Sequence, residues 1–240
     1  GGGDSLIIDP VTGKTRLEIS VDEGPQYRLR EFTIVGNSEF PTAELQRDFQ
    51  AERIGLFSGS DSGDTDQLPM FDNASFVEAT AEVGQRYQNE GYLYSRIVPF
   101  VRKNPAEEGE APTVDVGWAI EEGPQAYIRR INIIGNEYTY ERVIRDKIFI
   151  LPGDVYSQER IIQSFQSISS LGFFEVPMDV PDISPTPDGD VDVTFTVTER
   201  PTGAVNFGTS VGGGTGGFSG FIGYDQPNLF GQGKSGSMRW

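Results

Sequence analysis

In 240 residues there is no cysteine and no histidine. Without cysteine there is no disulfide framework, and its absence suits an oxidising compartment as well as a reducing one. Without histidine the commonest general base and the commonest metal ligand are missing. Basic residues are scarce: 19 Lys and Arg stand against 36 Asp and Glu, a formal net charge of −17. That balance argues against a nucleic-acid partner, because phosphate binding needs a basic face. It keeps the chain soluble without pointing to any one partner. No apolar run approaches the length of a membrane helix. The opening GGGDSL carries no signal peptide, so we expect the targeting information to lie outside this stretch.

What the chain does contain is a segment that occurs twice. EGPQYRLREFTIVGN runs from Glu23 to Asn37, and EGPQAYIRRINIIGN from Glu122 to Asn136, 99 positions further on. Gly24, Pro25, Gln26, Arg30, Ile34, Gly36 and Asn37 recur identically and without a gap. Identity at domain-length spacing means tandem modules, and such an array presents surfaces in series rather than a single cleft.

A second set of segments extends the pattern. Thr15–Val21, Thr113–Ile120 and Asp190–Val197 each alternate apolar and polar residues, and they end in DEGP, EEGP and TERP. Alternation of period two is a half-buried strand. The first of these closes a mostly missing module, and two complete modules follow. Each complete module opens with a strand (Tyr27–Val35, Tyr127–Ile134) that stops at Gly-Asn. A short helix follows, Thr42–Phe49 or Tyr140–Phe149. Then comes a longer one, with Phe76, Ala79, Thr80, Val83 and Tyr87 on one face, or Ile161, Phe165 and Ile168 behind a cap at Ser157. Both long helices end at glycine, Gly91 and Gly172, which suits a left-handed terminating residue.

The next strand carries proline (Ser95–Val101, Phe174–Val180), and the alternating strand closes the unit. Proline lacks a ladder N–H and so marks an edge: Pro99 in one module, Pro177 and Pro181 in the other. The expected fold class is α+β. Each β-α-α-β-β module has a three-stranded sheet of order 1-3-2 with two helices on one face. Asn37 to Gly91 spans 54 positions and Asn136 to Gly172 spans 36, so the first module carries 18 extra residues, centred on a Gly/Ser/Asp-rich loop over 54–70. Asp61, Asp64 and Asp66 in that loop do not match the EF-hand spacing, and we assign no metal.

After Pro201 the composition turns glycine- and aromatic-rich and almost uncharged. Ala204–Val211 alternates, with Val205, Phe207, Thr209 and Val211 on one side. A second strand-like run, Phe218–Tyr224, follows a GGGTGG turn. This pattern fits the wall of a membrane β-barrel, of which two strands are only a beginning.

These residues carry a family resemblance. The modules are similar to POTRA domains, as in LPGDVYSQERIIQSFQSISSLGFFEVPMDV. VTERPTG followed by VNFGTSVG resembles the junction between the last POTRA domain and the first barrel strand of BamA-type outer-membrane proteins, and YDQPNLFGQGKS resembles the segment after it. The resemblance implies four stretches: 1–23, the end of a preceding POTRA domain; 24–122, the penultimate one; 123–201, the last; and 202–240, the start of a truncated barrel. It implies a place in the bacterial outer membrane with these modules on the periplasmic side. The partners it implies are unfolded outer-membrane β-barrel proteins and accessory assembly lipoproteins, with no cofactor and no catalysis. The long loop at 54–70 departs from the family pattern.

The expected mechanism is strand addition, in which an unfolded client strand pairs with an exposed sheet edge. The candidate edge residues are Arg96, Ile97, Val98, Phe100 and Val101 in one module, and Glu175, Val176, Met178 and Val180 in the other. The competing reading makes these ordinary edges guarded by proline. Val205, Phe207, Thr209 and Val211 are the candidate first barrel strand, and Trp118 is assigned to core. A dedicated secretion pore and a non-barrel POTRA scaffold are the alternatives in function. A carboxylate-pair hydrolase has no spaced motif behind it.

Overall fold

The computed structural model describes residues 5–8, 15–18, 25–50, 68–105, 110–211 and 218–240. The chain forms two compact units. One comprises Gly1–Val35, Thr42–Thr80 and Val98–Ala119; the other comprises Gly36–Pro41, Ala81–Ile97 and Ile120–Trp240.

At the start, β1 (Ser5–Ile8) and β2 (Thr15–Glu18) form an antiparallel ladder from Ser5↔Glu18 to Ile8↔Thr15. The rest of the alternating run to Val21 lies outside the described residues.

The first complete module contains β3 (Arg28–Val35), α1 (Thr42–Gln50), α2 (Asn73–Asn89), β4 (Arg96–Asn104) and β5 (Thr113–Glu121). Its strands lie in the order β3-β5-β4, with β3 and β5 parallel. The third strand is central because its side chains are buried from Thr113 to Trp118, while β4 is exposed along most of its length. Around Trp118 the rings of Phe32, Phe49 and Phe76 gather with centroids 5.0, 6.2 and 6.0 Å away. The indole N–H donates to Thr80 Oγ1 at 2.8 Å, and that hydroxyl donates to the Phe76 carbonyl at 2.7 Å. Trp118 is therefore a core residue with its one polar atom satisfied. Asp72 caps α2, its carboxylate accepting from the Ala74 amide and the Ser75 hydroxyl.

The second module contains β6 (Ile128–Ile134), α3 (Glu141–Arg145), α4 (Gln158–Ser169), β7 (Asp182–Pro185) and β8 (Val191–Thr196). Its order is β6-β8-β7, with β6 parallel and β7 antiparallel to β8. The core draws Ile128 and Ile131 from β6, Ile144 from α3, Ile161 and Ile168 from α4, and Val191, Val193 and Phe195 from β8. Ser157 caps α4 by accepting from the Arg160 amide at 3.4 Å. Gly91 and Gly172 have φ of +92° and +73°, the left-handed conformation expected where each long helix ends. The short helix is briefer than its sequence pattern predicts. The Phe149 amide is taken by Ser164 Oγ at 2.8 Å, and Pro152 cannot continue a helix.

Both sheets thus have the 1-3-2 order that proline placement predicts. The edge of the second module does not lie where it was expected. Phe174–Val180 is not a ladder strand, and the edge is β7, Asp182–Pro185. Pro177 and Pro181 each remove an N–H, and the segment before them turns inward: Phe173, Phe174 and Met178 are buried, and Phe174 bridges Glu199. The chain reaches the sheet edge only after Pro181.

A last sheet holds β9 (Ala204–Val211), β10 (Phe218–Leu229) and β11 (Lys234–Arg239), antiparallel in the order β11-β10-β9. β9 keeps its predicted bounds, β10 runs past Tyr224 to Leu229, and β11 carries no alternating apolar pattern that a sequence reading could use.

Candidate functional site

The repeated segment has a structural meaning that alternation alone did not reveal. In both modules the first strand bulges at the recurring arginine. Leu29 and Glu31 pair with Val114 and Asp115, and Ile128 and Arg130 pair with Val191 and Asp192, so Arg30 and Arg129 are the extra residues. Arg30 grips Asp115 with two bonds, Nε to Oδ1 at 2.8 Å and Nη2 to Oδ2 at 2.6 Å. Arg129 grips Asp192 in the same two-pronged way. The guanidinium holds the Asp115 carboxyl below its ordinary range despite partial burial, and Asn104 Nδ2 adds a bond at 3.1 Å.

The Gly-Asn that ends each first strand is equally constrained. A Cβ on Gly36 would sit 2.1 Å from the Ile120 carbonyl oxygen, and one on Gly135 would sit 1.9 Å from that of Val197. The following asparagines turn back on their own loops: Asn37 Nδ2 donates to the Phe40 carbonyl and Asn136 Nδ2 to that of Thr139. Each loop is then held by the glutamate after the third strand. Glu122 Oε1 accepts from the amides of Ser38 at 2.7 Å and Glu39 at 3.0 Å, and from the buried Tyr87 hydroxyl at 2.8 Å. Glu199 accepts from the amides of Tyr138 at 2.7 Å and Thr139 at 2.6 Å. Burial pushes both carboxyls up, but these donors outweigh it and hold them below the usual glutamate range. Burial together with the Glu122 bond raises the Tyr87 hydroxyl well above its ordinary value.

The sequence candidates for client binding separate into two groups. Arg96, Ile97, Val98, Phe100 and Val101 all lie on β4, at the end of the strand order. Among the described residues, no strand pairs with its outer side. Val98, Phe100 and Val101 are exposed, and Ile97 is half-buried. Phe100 lies over Gly117 of the central strand, where an added Cβ would come within 2.5 Å of the ring. Lys103 sits over the Tyr27 ring at 5.1 Å. Glu175, Val176, Met178 and Val180 do not form an edge. Glu175 donates its amide to the Thr198 carbonyl, Met178 is buried, and Val176 and Val180 project from irregular chain.

Strands β9, β10 and β11 form a sheet with two unlike faces. Val205 is opposite Tyr224, Phe207 opposite Ile222, and Tyr224 opposite Met238; Ile222 and Trp240 exchange backbone bonds. Opposite residues share a face. One side therefore carries Val205, Phe207, Ile222, Tyr224, Met238 and Trp240, all exposed, with Phe207 at 83%. The other carries Asn206, Phe221, Gly223, Asp225, Ser237 and Arg239, with the Arg239 guanidinium over the Phe221 ring at 5.1 Å and Asn206 Nδ2 bonded to Asp225 Oδ2 at 2.5 Å. Thr209 lies on β9 with the apolar set, and Val211 closes the strand opposite Phe218. The loop carrying Asp61, Asp64 and Asp66 lies outside the described residues.

Comparison with known proteins agrees with this architecture. The POTRA family, described as surface antigen variable number repeat, matches residues 126–200. An outer membrane protein assembly factor BamA from Neisseria meningitidis is 29% identical over 228 residues, covering 94% of this chain and 26% of its own. A BamA from Neorickettsia risticii is 32% identical over 217 residues, covering 90% of this chain and 26% of its own. The chain thus spans about a quarter of the length of these relatives. Among solved structures, BamA from Haemophilus ducreyi lacking POTRA domains 1-3 superposes with a TM-score of 0.71 at 22% identity, covering 89% of this chain and 37% of that one. The Haemophilus influenzae BamA POTRA3-5 structure gives a TM-score of 0.56 at 20% identity, covering 82% and 71%. At those identities the structural likeness speaks for the fold alone. From the repeat, the 1-3-2 modules, the sheet that follows them and these matches, residues 126–200 are a POTRA domain and the chain over nearly its whole length is similar to BamA-type proteins.

Proposed function

We propose that this chain is the membrane-proximal periplasmic part, together with the first wall strands, of an outer-membrane β-barrel assembly factor. It receives unfolded outer-membrane proteins by strand addition at β4. The observation that carries this is the open outer side of β4, a nine-residue strand with exposed Val98, Phe100 and Val101. Its free N–H and C=O groups supply affinity that tolerates many client sequences, and its apolar side chains favour strands that are themselves destined for lipid. Arg96, Pro99, Arg102 and Lys103 lie on the same strand. They discourage pairing between two copies of β4, since like charges would meet and proline offers no donor. No bond-making step is needed, and we assign no catalytic residue.

The two-faced last sheet supports the outer-membrane placement. Exposed Phe207, Ile222 and Trp240 on one side suit lipid, and the other side, polar at Asn206, Asp225 and Ser237 with the Phe221 ring covered by Arg239, suits a lumen. The assembly-factor names of the sequence relatives point the same way. Accessory lipoproteins are part of the proposal, without an assigned surface.

The test is site-specific photocrosslinking in the full-length protein. A photo-reactive residue at Ile97 should capture unfolded barrel proteins several-fold more than one at exposed Glu82 of α2 or at Val176, which is off the edge. Equal capture at all three positions would remove the proposal.

A further inference from the structure

We propose that the Asn-Leu-Phe-Gly-Gln-Gly segment, which ends β10 and turns into β11, is a plug that locks the wall sheet onto the last module, making residues 201–203 a strap rather than a hinge. The covalent link from Glu199 to β9 is short, but one attachment point leaves rotation free. The turn supplies the second point. Asn228 is only 2% exposed, although asparagine is rarely buried without partners. Its Nδ2 donates to Thr139 Oγ1 at 2.9 Å, and its Oδ1 accepts from the Gly233 amide at 2.8 Å. One side chain therefore shapes the turn and binds the module.

The glycines of the motif are explained by the same contact. The Gly231 carbonyl accepts from the Tyr140 amide at 2.9 Å. A Cβ on Gly231 would lie 2.0 Å from the Tyr138 carbonyl oxygen, and one on Gly233 would lie 2.8 Å from Val143 Cγ1. Both have positive φ, +70° and +68°. Phe230, by contrast, is 69% exposed, so the aromatic residue of the turn takes no part in the docking. Thr139 is itself held by Glu199, giving a continuous chain from the partly buried Glu199 through the buried Thr139 and Asn228, from the end of the module to the wall. On the strap, Thr202 Oγ1 accepts from Gln226 Nε2 at 2.9 Å, tying it to β10. The functional consequence, which rests on the assembly-factor reading, is a fixed path from the last module to β9, so that a client strand is delivered in one orientation.

The experiment uses the full-length protein in lipid vesicles, with nitroxide labels at Gln166→Cys on α4 and Ser237→Cys on β11. Wild type should give one narrow distance distribution. Gly231→Val and Asn228→Ala should broaden it, and Thr139→Val, which keeps the volume but loses the hydroxyl, should do so in part. Hydrogen exchange at the Tyr140 amide should rise at least about tenfold in the Asn228 variant, as expected when one buried bond is lost. A wild-type distribution as broad as that of the variants, or variants as narrow as wild type, would overturn the lock. If Gly231→Val does not fold, the Thr139→Val and Asn228→Ala variants decide the matter, because a shared bond makes their effects non-additive. Insertion of a barrel client is measured in parallel. Undiminished insertion with a broadened joint would remove the functional consequence and leave the lock standing.

Discussion

Glu122→Ala should release the loop that opens the first module. Three donors converge on one carboxylate oxygen: the Ser38 and Glu39 amides and the Tyr87 hydroxyl, at 2.7, 3.0 and 2.8 Å. Hydrogen bonds to a charged group contribute about 1.5–3 kcal/mol each, but Ser38 and Glu39 are exposed and water replaces much of what they lose. The Tyr87 side chain is fully buried and has no such replacement, which costs about 1–3 kcal/mol. The sum is about 2–4 kcal/mol for alanine. Glu122→Gln keeps an acceptor without the charge and should lose about half of that.

The assay is residue-resolved hydrogen exchange. The Ser38 and Glu39 amides should exchange about thirtyfold to several hundredfold faster in Glu122→Ala, while the Tyr138 and Thr139 amides stay as they are. Glu199→Ala should give the mirror result. The sign of the pH dependence follows from the lowered carboxyl. Its contribution is fully present above the ordinary value of 4.5 and is lost as pH falls through the lower folded value. Wild type and Glu122→Ala should therefore converge in acid. Unchanged exchange at Ser38 and Glu39 in the alanine variant at neutral pH would refute the clasp.

Two glycines of the last module offer a controlled pair. Gly135 and Gly153 have almost the same φ, +93° and +92°, but an added Cβ meets the Val197 carbonyl oxygen at 1.9 Å in the first and nothing within 4 Å in the second. Gly153→Ala should cost about 1 kcal/mol in urea unfolding and Gly135→Ala clearly more, since backbone must move; equal costs would contradict the close approach. Trp118→Phe should cost about 1–2 kcal/mol by the same measurement, because the equivalent position of the second module is already Phe195 and the Thr80 hydroxyl keeps its bond to Phe76. A loss above about 4 kcal/mol would mean that the indole does more than fill the core.

Strand order was readable because proline has one physical consequence, a missing donor, and that consequence places it at an edge. The same rule misplaced the second edge. It says where a proline cannot be, and Phe174–Val180 satisfies it equally well by leaving the sheet and burying Phe173, Phe174 and Met178. β11 has no signature in the sequence, because KSGSMR offers no apolar alternation; it is a strand only because β10 provides a partner. Glu122 and Glu199 stand in aligned positions, EEGP and TERP, so their recurrence was visible, but nothing in one dimension says that a carboxylate reaches back to a loop more than 60 residues earlier.

The sequence by itself determined the modular plan, the element order, the α+β class and the change of character after Pro201. Each of these is carried by periodicity, turn residues and repetition, which are local properties of the chain. The tertiary structure alone decided which side chains close the modules. Arg30 and Arg129 find their aspartates only through a bulge, and Gly36 and Gly135 are required only because a carbonyl from a distant strand lies beneath them. It also decided what the Asn-Leu-Phe-Gly-Gln-Gly segment does, since Asn228 is an ordinary polar residue at the bulged end of β10 until Thr139 is brought within 2.9 Å of it. Such contacts join residues far apart in sequence, and their free energy depends on burial and distance, which only the folded chain supplies.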